Sequence, residues 1–144
     1  MFAITLPRTG QWSAVFALVA ALAGCATTSM FDETAYGQAV LLKAESLALM
    51  DQAGEPYENH RAEVSRLLRD LDQARAHARS RPGNQASAAQ WTILDDPGRS
   101  LVADFFTRWA AQDSLSRVFI AQSKAVVADA FDAIAALESG KKRP

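Results

Sequence analysis

PYENHRAEVSRLLRDLDQARAHARS, residues 56–80, decides how this chain folds. Tyr57, His60, Val64, Leu67, Leu68, Leu71, Ala74 and Ala78 recur at three- and four-residue steps, the spacing of one stripe on an α-helix. The opposite face alternates charge, with Glu63/Arg66, Arg66/Asp70 and Asp72/Arg75 at helical neighbour spacing. Each such exposed pair contributes only ~0.2–0.5 kcal/mol, so this face reads as solvated.

The same period extends in both directions, while β-branched residues are sparse and alanine is abundant. Upstream, a helix is expected to open at Asp32, with Phe31 and Tyr36 at the two positions of a hydrophobic staple and Glu33 at the positive end of the dipole. It runs through Ala39, Val40, Leu42, Leu47 and Met50 and stops near Gly54, where Gly54 followed by Pro56 is a stop-and-restart signal. Downstream, Arg81 to Ser87 is a loop by composition, and Ala88 to Leu94 forms at most a short helix carrying Trp91. Asp96 then caps and Pro97 opens a third helix bearing Leu101, Val102, Phe105, Phe106 and Trp109. Asp113 and Ser114 cap a last helix that extends to Ser139. There Leu115, Val118, Phe119, Val126, Val127, Phe131, Ile134 and Leu137 are expected inside, and Arg117, Lys124 and Asp129 outside. Gly140 ends it, and residues 140–144 are a frayed basic tail. The expected architecture is all-α: one small antiparallel bundle of about four helices over residues 32–139.

The start of the chain has a different character. Met1 to Arg8 carries the only charges of the leader, Gln11 to Leu22 is apolar, and Leu22-Ala23-Gly24-Cys25 closes the run. The apolar zone is too short to span ~30 Å of hydrocarbon comfortably. These four residues resemble the lipobox of bacterial lipoproteins. The resemblance implies that residues 1–24 are a signal peptide cut between Gly24 and Cys25. The Cys25 sulfur would then carry a diacylglycerol and its amine a further acyl chain, and no other cofactor is expected. At ~0.8 kcal/mol per buried methylene, two or three chains hold a protein on a membrane stably. Ala26 follows the cysteine where aspartate retains enteric-type Gram-negative lipoproteins in the inner membrane, so the implied address is the periplasmic face of the outer membrane. Residues 25–31 would form a short tether reaching no more than ~25 Å, which keeps the bundle close to the bilayer.

Cutting before Cys25 leaves roughly 120 residues, enough for one core without disulfide or metal staples. The chain carries 15 Lys and Arg against 16 Asp and Glu, and this near-neutral, interspersed balance lacks the basic face of a nucleic-acid binder. Cys25 is the only cysteine, so thiolate metal sites and disulfides within the domain are excluded. His60 and Glu63 come nearest to a bundle metal motif, but in reversed order and only once, while His77 has no glutamate near it. No serine lies in a Gly-x-Ser-x-Gly elbow, and the glycines form no phosphate loop. No catalytic or metal-binding residues are therefore assigned. Adjacent residues on a helix point about 100° apart, so Phe105 and Phe106 need not share a core. Trp91, Phe106 and Trp109 become the candidate interaction surface. The expected function is non-enzymatic: a lipid-anchored module that binds or scaffolds an envelope protein near the membrane. Two alternatives are a carrier or sensor of an apolar ligand in a cavity lined by Phe105, Phe106, Phe119 and Phe131, and an envelope enzyme whose residues the sequence does not name.

Overall fold

The computed structural model describes residues 29–95 and 101–144. The lipobox residues Leu22 to Cys25, Ala26 and the expected Asp96–Pro97 cap lie outside the described residues. The architecture is all-helical, with no strand among the described residues: α1 (Glu33–Asp51), α2 (Arg61–Ser80), α3 (Gln85–Asp95), α4 (Val102–Gln112) and α5 (Arg117–Ser139). None of these helices is long and apolar enough to cross a membrane.

Four helices close a ring, with α1 on α2, α2 on α3, α3 on α5, and α5 back on α1. The last contact is antiparallel, because Lys43 of α1 meets Asp132 of α5 while Asp51, further along α1, meets Lys124, earlier on α5. These bridges are partly exposed and set register more than stability. At 1.5 Å per residue α5 is ~35 Å long and α3 only ~17 Å, and α4 packs beside the end of α3. The core joins Ala39, Leu42 and Met50 of α1 to Val64, Leu67 and Leu71 of α2 and Val127, Phe131 and Ile134 of α5. Trp91 meets Phe131 edge-on at 6.0 Å between centroids, filling the centre of the ring.

Local rules hold at the start of α1. Asp32 takes an extended conformation and its Oδ1 accepts from the amides of Thr34 (2.9 Å) and Ala35 (3.3 Å). Phe31 and Tyr36 form the staple at 6.3 Å.

Elsewhere tertiary contacts move the boundaries. Residues 57–59 form a 3-10 turn and α2 begins only at Arg61, because the Tyr57 amide is held by the Asp113 carbonyl at 3.0 Å. Asp113 adopts φ 64°, and the Leu115 amide donates to the Ala53 carbonyl at 2.7 Å. With residues 113–115 spent on that junction, Ser116 rather than Asp113 or Ser114 caps α5, accepting from the Phe119 amide. The loop after α2 is shorter than its composition suggests, and residues 85–95 make three turns of helix. Val40, Val118, Val126 and Leu137 are exposed, whereas Ile120 and Glu138 take inward positions on α5.

Two buried positions separate packing from polarity. Truncating Phe131 to alanine should cost ~3–5 kcal/mol by urea denaturation. The Ser46 hydroxyl is buried on α1 without a hydrogen-bond partner among the described residues. Ser46→Ala should therefore leave the urea midpoint unchanged or raise it, by up to ~1 kcal/mol in stability.

Candidate functional site

The densest polar constellation forms at the end of the bundle where the described chain enters. After Ser80 the chain turns through Arg81-Pro82-Gly83-Asn84, with Gly83 at φ 71°, a left-handed conformation that costs glycine nothing. The turn presents the Gly83 carbonyl to the Ser29 amide (3.1 Å) and Asn84 Oδ1 to the Ser29 hydroxyl (3.0 Å). Asn84 Nδ2 donates to the Ala78 carbonyl at 2.8 Å, satisfying one of the last carbonyls of α2. Arg81 donates to the Met30 carbonyl (2.6 Å) and comes within 3.4 Å of Asp32 Oδ2. The chain is thus bonded to the bundle from Ser29 onward, and these bonds include residues 29–31 of the expected 25–31 segment.

Glu138 lies at the centre of this pole with 0 % exposure. Its carboxylate receives Lys141 Nζ at 2.6 Å, Arg81 Nη1 at 3.1 Å and a hydrogen bond from Ser87. Burial pushes its pKa up, but these three donors outweigh burial and hold it below the usual carboxylate range. Asp32 follows the same logic: slight burial raises it, while His77 Nε2 at 2.8 Å, the Ala35 and Thr34 amides and Arg81 bring it down. Lys141 also donates to Asn84 and Ser87. The Phe31 amide donates to the Lys142 carbonyl at 2.8 Å, and the Arg143 guanidinium sits 4.8 Å above the Phe31 ring. The expected fraying of the tail is corrected on these contacts, which dock residues 141–143 against the entering chain.

His60 occupies the opposite pole. Glu63 meets its Nδ1 at 3.2 Å and Glu55 its Nε2 at 2.9 Å, and its ring lies 5.3 Å from Trp109. Carboxylates at both ring nitrogens favour the doubly protonated imidazolium, so the His60 pKa is raised by Glu55 first and Glu63 second. Since they sit at opposite nitrogens, the two carboxylates cannot share an ion with the ring. Among the described residues no group of three or more histidine, cysteine, aspartate or glutamate side chains is arranged to hold a metal.

The candidate surface of Trp91, Phe106 and Trp109 is not a surface. Their exposures are 2 %, 1 % and 0 %, because the ring closed by α3 and α5 encloses Trp91 and α4 turns its aromatic face inward. Trp109 Nε1 donates to the carbonyls of Glu55 (2.9 Å) and Asp113 (3.1 Å), locking α4 onto the turn before α2. The four phenylalanines expected around one cavity do not line one: Phe105, Phe106 and Phe131 are buried in the core, and partly buried Phe119 stacks on Phe105 at 5.8 Å along an open groove. That groove, about 300 Å³, is completed by Leu101 and Val126, with Arg108 lying 5.0 Å over Phe119.

Sequence reasoning missed Glu138 because a single glutamate in an alanine-rich helix reads as solvated. The one available signal was its step of four from Ile134, in line with Ile120, Val127 and Phe131. Against known proteins, no family model matches the chain and no curated protein or solved structure matches it.

Two measurements probe the poles. Glu138→Ala strands Arg81 and Lys141 and should destabilise the fold by ~3–5 kcal/mol in urea. Because the folded Glu138 and Asp32 pKa values are depressed, their stabilisation is complete above about pH 5 and drains as pH falls from there through the folded values. A urea midpoint that declines below about pH 5 in the wild type, and less steeply in Glu138→Gln, is the expected result. His60 has the opposite sign. Its raised folded pKa gives stability that is complete below ~6.5 and lost as pH rises through the folded value, and His60→Gln should remove that decline.

Proposed function

We propose that this chain is a lipid-anchored lipoprotein, held at the periplasmic face of the outer membrane through Cys25. In this reading its bundle binds or scaffolds another envelope protein close to the bilayer, with no catalytic role. The observation that carries the reading is Leu22-Ala23-Gly24-Cys25 at the end of a short apolar run. Supporting it, the chain is bonded to the bundle from Ser29. Cys25 would then be four residues from a fixed point, a reach of at most ~14 Å. Two or three acyl chains on Cys25 would supply the attachment to the membrane.

With the tryptophans enclosed, the surface best suited to a protein partner is the outer face of α1. Val40 and Leu41 are 47 % and 58 % exposed there, beside exposed Gly37, Ala44 and Ala48. A Cβ placed on Gly37 would meet nothing within 4 Å, so a partner backbone has room to approach. Helices that are apolar on all sides are ordinarily covered, and α1 in this chain is covered on one side only. A second reading rests on the groove at Phe105 and Phe119, whose volume is at the lower bound of the ~300–1,000 Å³ usual for ligand sites. Its apolar walls, rimmed by Asp104, Arg108, Gln122 and Ser123, suit an amphipathic molecule with a polar head.

Intact mass and membrane fractionation of native protein beside a Cys25→Ser variant test the anchor. The expected result is an acylated chain starting at residue 25 in outer-membrane fractions, and loss of both mass increment and location in the variant. A soluble, unmodified chain, or one retaining Met1 to Gly24, would sink the proposal.

A further inference from the structure

The two poles of the bundle carry opposite charge. The pole at which the chain enters holds Arg79, Arg81, Lys141, Lys142 and Arg143 against Asp32, Glu33 and Glu138. The far pole holds Asp51, Glu55, Glu58, Glu63 and Asp113 against Arg61, Arg117, Lys124 and His60, whose charged form Glu55 and Glu63 favour. Pairing leaves the same excess of two cations, carried by exposed groups against exposed Glu33. Arg81 and Lys141 are spent on Asp32 and Glu138 inside the fold. Arg79, Lys142 and Arg143 remain exposed, and none of them has a carboxylate within salt-bridge distance among the described residues. Met30, 54 % exposed, and exposed Pro82 place uncharged surface between them.

We infer that this pole is a docking surface for the anionic phospholipid headgroups of the leaflet that holds the anchor. The inference rests on the lipoprotein reading and adds an orientation to it. The four residue steps from Cys25 to the bonded Ser29 keep the pole within ~14 Å of the headgroups. The Debye length at physiological salt is ~8 Å, so the attraction acts once the pole lies within the inner part of that reach. Lipid headgroups are the occupant favoured over a protein, because the tether brings this pole, and no other part of the bundle, to the leaflet. Docking points the acidic far pole away from the bilayer. The apolar outer face of α1 is then presented sideways, parallel to the bilayer normal, where an envelope protein could reach it.

The full, lipid-modified chain tests this in vesicles of phosphatidylcholine alone or mixed with phosphatidylglycerol. One form carries a fluorophore at Pro82→Cys and another at Glu58→Cys, and a headgroup-labelled lipid serves as quencher. Both forms should enter both vesicle types through their acyl chains. In the mixed vesicles the Pro82 probe should be quenched and the Glu58 probe spared. A juxtamembrane cation contributes about fivefold to attachment to an anionic surface, so Arg79→Gln, Lys142→Gln and Arg143→Gln together should lower the docked-to-undocked ratio on the order of 100-fold. High salt on the unsubstituted chain should release the pole in the same way, which covers the case of a variant that folds poorly. Quenching of the Pro82 probe that is equal in both vesicle types, or indifferent to salt and to the triple variant, would overturn the docking while leaving the anchor standing. A chain that carries no lipid mass and enters neither vesicle overturns the anchor, and the docking with it.

Discussion

One buried charge organises the end of the bundle where the chain enters. A carboxylate without exposure is tolerable only with donors on every side, and Glu138 draws them from three separate stretches: Arg81 after α2, Ser87 on α3 and Lys141 beyond α5. Each donor is shared onward. Arg81 reaches Met30 and Asp32, Asp32 caps α1 and holds His77, and Lys141 holds Asn84, which holds Ser29. The start of α1 and the ends of α2 and α5 are therefore fastened together by one network rather than by separate contacts.

At the far pole the fastening is aromatic. Trp109 is fully enclosed, yet its single donor is shared between the carbonyls of Glu55 and Asp113. Tyr57 packs edge-on against it at 5.5 Å, and His60 closes the other side. The short α3 leaves this half of the ring without a full fourth wall, and the inward rings of α4 occupy the space. A bundle with helices of unequal length is filled in this way without a second domain.

How much of this could be read from sequence depends on how far each determinant reaches along the chain. The Asp32 cap and the Phe31–Tyr36 staple were legible because the partners they use there, Thr34, Ala35 and Tyr36, lie within five residues. The stripe Val64, Leu67, Leu71, Ala74, Ala78 was legible because periodicity is local, and with it the all-helical class. The cap of α5 was not, since Ser116 takes that role only after Asp113 and Leu115 are drawn off by Tyr57 and Ala53, some sixty residues away. Periodicity also failed on α5, where valines are common on both faces: Val127 is inside, Val118 and Val126 are outside. The tryptophans were misread for a related reason, because composition shows that rings are dense without showing which are enclosed. The polar pole was the least legible part. Its members, Ser29, Arg81, Asn84, Ser87, Glu138 and Lys141, are unremarkable alone and are brought together by contacts that mostly span more than fifty residues.

The bonds that fasten Ser29 and Phe31 have a mechanical side. A pull on the chain ahead of Ser29 does not act on the first turn of α1. It is met by the bonds from Ser29 to Gly83 and Asn84, then by the grip of Arg81 on Met30, then by the bond from Phe31 to Lys142. Tension therefore spreads at once into the ends of α2 and α5, the two longest helices, and reaches the cap of α1 last. The arrangement works as a strain relief, like the collar that keeps a cable from being bent where it enters its housing.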